Sequence, residues 1–426
     1  MLVFLIFLSL VVMVCINVPI AVALAVSAVL GLLAFEGPTS VVSVALDMYD
    51  GSTKFSLIAI PMFVLAGAIM NAGGVTDRLI NFVSAIIGFV RGGLAMVNIG
   101  VSLFFAEISG SAVADVAAMG SILIPQMKKR GYGGPLSAAV TSSSASLAII
   151  IPPSIPMILY ATSANTSVEQ LFVAGIVPGL LGAFGLMGVA YGFARRYNLP
   201  VEEAFNWRRL WVTFLDALPA FTLPVIILGG IFGGFVTATE AAGLAVIAAC
   251  IVGLWYNQMN FAHLKRAMLD GGMQTAVVML LVAASVVMGG FLTRAQVPQE
   301  LAANIIEITS NKWLILLILN FMFLIIGFFL HSAAAIILVV PIVIPLIQAA
   351  GIDPIHFGLV VTLNLAIGQQ TPPVASVLIT SCAVARANIW EVSKVNVYFV
   401  AVLFAVLMLC TYVPSVPLFL VEYFYR

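Results

Sequence analysis

Two short polar runs inside otherwise apolar sequence hold the residue types best suited to chemistry. The first is Glu107-Ile108-Ser109-Gly110-Ser111-Ala112-Val113-Ala114-Asp115 and the second is Phe328-Phe329-Leu330-His331-Ser332-Ala333. Each is followed by a helical stretch that ends in a proline pair. Thr141-Ser142-Ser143-Ser144-Ala145-Ser146 leads to Pro152-Pro153-Ser154, and Asn364 leads through Gly368-Gln369-Gln370-Thr371 to Pro372-Pro373. Proline lacks an N–H and clashes with the preceding turn, so two in succession free several carbonyls. Freed carbonyls and hydroxyls can replace the hydration shell of Na+. The half-helix restarting after each pair turns its positive end toward the same zone, which suits a carboxylate. Cation and anion sites are thus expected side by side. Asp115, one turn past the first tip, is a candidate support for the cation, in competition with a cap role. Ser144, Ser154, Asn364, Gln369, Gln370 and Thr371 are the polar candidates for the solute.

Composition says what must position these residues. The 426-residue chain is 63% hydrophobic and 8% charged, against about 25% charged in a soluble domain. Leu2 to Phe35 carries no charge, and Leu269 to Leu292 carries only Asp270; both exceed the ~20 residues that cross a bilayer as a helix. Backbone groups in lipid must be paired within the segment, so these stretches are expected to be helical. The short alternating segments of a membrane barrel are absent. The first segment lacks a basic leader region and contains Pro19, which reads as a retained helix rather than a signal peptide. The expected class is an all-α integral membrane protein.

An internal repeat organises the chain. An offset of 220 residues brings Ile122, Ile124, Pro125, Gly131, Val140 and Pro152-Pro153 onto Ile342, Ile344, Pro345, Gly351, Val360 and Pro372-Pro373 without a gap. The first copy's segment Leu94 to Met127 is flanked by Arg91 and Lys128-Lys129-Arg130. Its counterpart, Leu314 to Ile347, has only Lys312 before it and no positive charge directly after it. Because Lys and Arg favour the cytoplasmic side, the copies are expected to face opposite ways. Residues 1–215 form one inverted-repeat half, with a re-entrant hairpin at about 94–127 and a broken helix at about 135–163. Residues 216–426 form the other, with a hairpin at about 314–347 and a broken helix at about 355–386. Lys54, Arg195-Arg196, Arg208-Arg209, Lys265-Arg266, Arg386 and Lys394 fall cytoplasmic in this scheme, leaving both termini outside.

Other residues carry weaker signals. Glu240 in Thr237-Ala238-Thr239-Glu240 reads as an N-terminal helix partner or a buried acid, and Arg294 as a snorkelling cation or a carboxylate ligand. Val75–Phe89 and Val297–Ile308 read as interfacial arms bracing the hairpins, and Asn206-Trp207-Arg208-Arg209-Leu210-Trp211 as a surface helix with basic and aromatic anchors. Cys15, Cys250, Cys382 and Cys410 sit singly in apolar runs and read as small hydrophobes. His263, His331 and His356 form no ligand pattern. Zero net charge argues against nucleic acid as a partner. An intramembrane enzyme would need a third partner beside Ser109 with Asp115 or His331 with Ser332, so no enzyme is expected.

Several runs together resemble the large membrane subunit of tripartite ATP-independent periplasmic (TRAP) transporters. They are Ile60-Pro61-Met62-Phe63-Val64-Leu65-Ala66-Gly67, Ile108 to Asp115, Gly120 to Pro125, Ile151 to Met157, Ala174 to Gly179, Thr239 to Ala242, His356-Phe357-Gly358 and Thr371 to Val374. The resemblance implies sodium-driven import of an organic acid across the bacterial inner membrane, by an elevator-type transporter with two hairpins. It implies two partners, a soluble periplasmic binding protein and a small membrane subunit of about four helices. It implies sodium sites at Ser109-Gly110-Ser111 with the stretch from Ser146 to Pro152, and at His331-Ser332 with Gly368, Thr371 and Pro372. The chain departs from the family pattern at His331-Ser332-Ala333, where Asp-Pro-Thr is common, at Gln369-Gln370, where an apolar pair is common, and at Ala148–Ile151, which lacks a glycine and a proline. Those departures point away from a simple dicarboxylate and toward a bulkier hydroxylated acid such as sialic acid. A stand-alone sodium-coupled carboxylate symporter or exchanger is the competing expectation.

Overall fold

The computed structural model describes residues 2–16, 18–202, 204–309, 311–372 and 374–425; the side chains of residues 2–4, 11, 15, 107–109, 302, 306 and 308 fall outside that description. Pro373 and the side chains of Cys15, Glu107 and Ser109 therefore lie outside the described residues. Apart from one antiparallel bridge between Arg91 and Val201, the described fold is helical.

The chain begins with α1 (Leu2–Cys15), α2 (Ile20–Glu36), α3 (Val41–Ser52), α4 (Ala59–Ala72) and α5 (Val75–Ile87). Then come α6 (Gly93–Ser109), α7 (Ala112–Lys129), α8 (Gly134–Ala145), α9 (Ile155–Ala164) and α10 (Val168–Arg196). α11 (Trp207–Pro224) passes through a π-helical turn, Val225–Gly229, into α12 (Gly230–Phe232). α13 (Ala238–Trp255) and α14 (Phe261–Arg294) lead to α15 (Val297–Ile308) and α16 (Lys312–Phe329). α17 (Ser332–Ala349), α18 (Pro354–Gly368), α19 (Ser376–Ala385), α20 (Ile389–Tyr412) and α21 (Ser415–Tyr425) follow. Among the described residues, eight helices are long and apolar enough to cross a membrane.

Exposure fits hydrocarbon surroundings. On α13, Leu244, Ile247, Ile251 and Leu254 recur every three or four residues on one outward face, each more than 40% exposed. An apolar outer stripe of this kind is unfavourable in water and natural in lipid.

The helices divide into two packed bodies. In the first, α2, α3 and α4 lie against α14, and α4 also lies against α13. Gly73 and Gly253 face each other at the α4–α13 crossing, where an added Cβ on Gly73 would stand 3.1 Å from the Cα of Gly253. Small residues allow such backbone approach, and dispersion then holds the pair in lipid. The second body comprises α6–α10 and α16–α21. α5 lies on α6 and α11, and α15 lies on α17, so each bracing helix touches a hairpin.

α6 and α7 fold back as a hairpin. The N–H of Leu94 donates to the Tyr132 hydroxyl at 3.1 Å, and Asn98 Nδ2 reaches Met127 Sδ at 3.6 Å, pairing the start of one leg with the end of the other. Gly110 makes the reversal with φ +58°, a left-handed conformation that glycine adopts without a Cβ penalty. At the second tip, Leu330 and His331 are extended, and His331 directly precedes α17. Lys312 and Trp313 at the start of α16 share a cleft with Gly351, Ile352 and Asp353 beyond the end of α17, so this pair also doubles back.

Adding 220 to both bounds of α7 gives those of α17, and adding it to the first residue of α8 gives that of α18. The half-helices pair crosswise between copies. Ser381 Oγ of α19 donates to the Ala138 carbonyl of α8 at 2.6 Å, and the Tyr160 hydroxyl of α9 donates to the Pro354 carbonyl of α18 at 2.8 Å.

Candidate functional site

The two hairpin tips meet at one cavity of about 450 Å³. Gly110 and Ser111 line it from the first tip, His331 and Ser332 from the second, and Ile149, Ile155, Pro156 and Gln369 from the two breaks. Val64 of α4 and Met273, Gln274 and Val277 of α14 complete the wall, so the first body faces the tips across the cavity.

The tips are seated on the broken helices by close backbone contact. A Cβ on Gly110 would lie 3.0 Å from the Pro153 carbonyl oxygen and 3.3 Å from Ile155. A Cβ on Gly368, at the end of α18, would lie 2.6 Å from the Gly327 backbone of α16. Behind the first break, a Cβ on Gly175 of α10 would come within 2.2 Å of the Ile150 carbonyl oxygen. At Gly110 and Gly175 glycine lets the neighbouring surface approach an unwound peptide group, and at Gly368 it lets the end of α18 approach the last turn of α16.

At the first break α8 tightens into a 3-10 turn, Ser146–Ile149, before α9 restarts. Ser154 caps α9: its Oγ accepts from the Met157 N–H at 3.4 Å and donates to the Ile149 carbonyl at 2.7 Å. At the second break the Thr371 N–H donates to the Gly368 carbonyl, and Thr371 Oγ1 donates to the Ile367 carbonyl, both at 3.0 Å. The far ends of the half-helices carry lysines: Lys54 Nζ donates to the Thr162 carbonyl of α9 at 3.4 Å and Lys128 Nζ to the Ala385 carbonyl of α19 at 2.9 Å. A cation at each negative helix end leaves the positive ends directed back toward the breaks.

Of the candidates named from sequence, Gly110, Ser111, His331, Ser332 and Gln369 line the cavity. Ser109 ends α6 directly before them. Asp115 is fully buried in the first turn of α7, and Thr371 and Pro372 are half-buried in the second break. Ser146 Oγ donates to the Ser142 carbonyl, and Pro152 precedes Pro153 in the first break through a cis peptide. Ser144, Ser154 and Asn364 lie outside the lining, bonded to neighbouring groups. Ser144 Oγ donates to Asn98 Oδ1 at 3.2 Å, and Asn364 Nδ2 donates to Asn320 Oδ1 at 2.7 Å. Each of these bonds clamps a broken helix to the first leg of its own hairpin. Gln370 is buried, and neither polar atom of its side chain has a hydrogen-bond partner among the described residues.

Two readings outside the cavity resolve. Arg294 is neither snorkelling alone nor directed at the cavity: its Nη1 meets Glu36 at 3.0 Å and its Nη2 meets Asp47 at 3.4 Å, tying α14 to α2 and α3. Glu240 completes a capping box with Thr237, accepting its N–H at 2.8 Å.

Sequence reasoning missed four amides. Asn98 and Asn320 anchor the clamps just described. Asn396 of α20 joins the breaks, its Oδ1 accepting from Ser143 Oγ at 2.8 Å and its Nδ2 donating to the Gln370 carbonyl at 3.2 Å. Gln274 faces the cavity from α14. Their signal was available, because lone amides in apolar helices usually face the protein interior.

The chain matches the family described as "Tripartite ATP-independent periplasmic transporter, DctM component" over residues 7–416. It is 38% identical over 406 residues to the isethionate TRAP transporter permease protein DctMQ of Oleidesulfovibrio alaskensis, covering 95% of this chain and 64% of that one. It is 39% identical to the C4-dicarboxylate TRAP transporter large permease protein DctM of Pseudomonas aeruginosa, covering 93% of each chain. The sialic acid TRAP transporter large permease protein SiaM of Vibrio cholerae is 35% identical, also with 93% of each covered. In fold, the chain is similar to the crystal structure of the Alcanivorax borkumensis YdaH transporter, with a TM-score of 0.63, 15% identity and 89% of each chain covered. With the match running nearly end to end, the chain belongs to the DctM component family of the tripartite ATP-independent periplasmic transporters.

Proposed function

We propose that this chain imports an organic acid across the bacterial inner membrane, driven by sodium and working with a soluble periplasmic binding protein and a small membrane subunit. The observation that carries this reading is the convergence of both hairpin tips and both helix breaks on one cavity. In the proposed cycle residues 1–215 and 216–426 act as inverted halves, with both termini periplasmic and the hairpins re-entrant from opposite faces. The second body then moves as an elevator against the first. Sodium binds at Ser109-Gly110-Ser111 with the stretch from Ser146 to Pro152, supported by Asp115, and at His331-Ser332 with Gly368, Thr371 and Pro372.

The relatives are named for isethionate, a C4-dicarboxylate and sialic acid, all organic anions. In this chain a neutral amide, Gln369, lines the cavity, and Gln274 faces it from the other body. Amides pair with hydroxyls as readily as with carboxylates, which supports a hydroxylated acid such as sialic acid. The test is uptake into proteoliposomes holding this chain and its small subunit, with and without the binding protein and an inward sodium gradient. Sialic acid uptake that requires both is the expected result. Uptake by this chain alone would favour a stand-alone symporter, and uptake indifferent to sodium would remove the coupling.

A further inference from the structure

Gln274 is the polar side chain that the first body brings to the cavity between the hairpin tips. Its neighbours on that wall, Val64, Met273, Val277 and Val278, are apolar. Gln274 is exposed, and its amide has no hydrogen-bond partner among the described residues. An amide on a membrane-crossing helix is costly without a partner. This one therefore calls for a hydrogen-bonding group within the cavity.

The opposite wall decides which part of a solute that group belongs to. Three helices begin at the cavity, α7 at Ala112, α9 at Ile155 and α17 at Ser332, and all three belong to the second body. Their positive ends suit the carboxylate of the acid proposed above. None of the described lining residues is Asp, Glu, Lys or Arg, so no fixed charge competes with those ends. With its carboxylate held by the second body, the solute turns its neutral remainder toward the first. A primary amide both donates and accepts, so Gln274 matches a hydroxyl there.

Position along α14 gives this contact a direction. Gln274 lies eight residues after Arg266 and twenty before Arg294, about 12 Å and 30 Å along the helix. The Lys265-Arg266 end is cytoplasmic in the proposed topology, so the tips stand at the inner half of α14. Farther out, from Ala276 to Leu292, the polar side chain on α14 is Ser285. Its hydroxyl is already given to the Leu281 carbonyl at 2.7 Å. Tips carried outward leave Gln274 behind and meet no second free amide on this helix.

We propose that Gln274 is a specificity-determining residue that hydrogen-bonds the neutral, hydroxyl-bearing end of the solute only while the tips stand at the inner half of α14. This role rests on the elevator motion proposed above. The solute then bridges the two bodies in this conformation, and the cytoplasmic-side site holds it more tightly than the second body alone would.

The test uses the full chain carrying Ser56→Cys and Thr162→Cys, whose parent hydroxyls stand 3.2 Å apart, so that oxidation locks the bodies as they stand here. Binding of sialic acid in saturating sodium is measured on the locked protein, and half-saturation of uptake from outside on the reduced one. Gln274→Leu is expected to weaken binding to the locked protein about two- to tenfold, as for one neutral hydrogen bond. Sodium affinity, melting temperature and half-saturation from outside are expected to stay within twofold or unchanged. Gln274→Met, of similar length without the amide, should reproduce the loss and carries the test if Gln274→Leu does not fold. Unchanged binding in the locked variants would overturn the contact, and an equal loss on both sides would overturn its restriction to this conformation. Either result leaves sodium-driven transport by the wild type standing, whereas a wild-type protein that neither binds nor imports sialic acid would overturn both the transport proposal and this one.

Discussion

Replacing Gly368 with alanine tests how the second hairpin meets its broken helix. The new Cβ would lie 2.6 Å from the Cα and carbonyl carbon of Gly327 and 2.9 Å from its oxygen. All three are backbone atoms, so no side chain can swing aside. Carbon atoms pack best at about 3.5–4.0 Å, and α16 would have to retreat by roughly 1 Å. Overpacking of this kind typically costs about 1–3 kcal/mol. If the seated arrangement is the sodium-loaded one, that cost appears as weaker sodium binding. At about 1.4 kcal/mol per decade, half-saturation should rise by about 5- to 150-fold. Gly327→Ala provides the graded control, because its Cβ meets the Gly368 Cα at 3.1 Å and the Leu365 side chain at 3.4 Å. It should shift sodium dependence less. The assay is sodium-dependent uptake in proteoliposomes, alongside melting temperature. A Gly368→Ala protein that loses stability but keeps wild-type sodium dependence would refute the reasoning, as would a larger effect from Gly327→Ala.

The remaining expectations concern other contacts. Asn396→Ala leaves the Ser143 hydroxyl and the Gln370 carbonyl without their partner, a loss of about 1–3 kcal/mol for each group stranded in the interior. Uptake should fall below a tenth of wild type, and normal uptake would mean the two breaks do not depend on this bridge. Ser56→Cys with Thr162→Cys, whose hydroxyls stand 3.2 Å apart, joins the first body to α9; oxidative crosslinking should stop uptake and a reductant restore it, whereas uptake through the crosslinked protein would exclude relative movement of the bodies. Glu240→Ala removes the capping box of α13 and should lower the melting temperature while leaving the sodium and solute dependence of uptake unchanged. The pH response of Glu202 has a definite sign. Its carboxyl is raised in the folded state, so the folded protein holds that proton more tightly and the site's contribution to stability falls as pH rises above the ordinary carboxylate range. The melting temperature of Glu202→Gln relative to wild type should therefore increase from pH 4 to pH 8, and a flat difference would show that Glu202 is not strained by burial.

Features governed by the backbone were legible in the amino-acid sequence. Apolar length dictated helices, Gly110 marked a reversal, and the proline pairs marked breaks. The register of Pro125 with Pro345 anticipated the shared bounds of α7 and α17. Thr237 and Glu240 stand at capping-box spacing, so that local pair was readable too. Orientation was not. Ser144 and Ser154 stand at the first break and Asn364 about one turn before the second, yet of these and Gln369 it is Gln369 that lines the cavity. A polar residue near a break looks the same in sequence whether it caps a helix, clamps a neighbour or faces a solute. Long-range pairs were hidden for a related reason. Arg294 finds Glu36 across 258 positions and Asp47 across 247, and no periodicity records such a meeting.

The two copies reach one mechanical result with different side chains. Ser144 and Asn364 stand at equivalent repeat positions, and each bonds to an asparagine on the first leg of its own hairpin. Those asparagines, Asn98 and Asn320, are two positions out of repeat register, so the clamp is not a copied residue pair but the same junction satisfied twice. A polar side chain in an apolar helix needs a partner, and placing that partner on the hairpin leg fixes the leg against its broken helix. Because both clamps lie behind the cavity, the lining at Ser111, His331, Ser332 and Gln369 can change without loosening the frame. Cavity lining and hairpin mechanics therefore sit on separate residues.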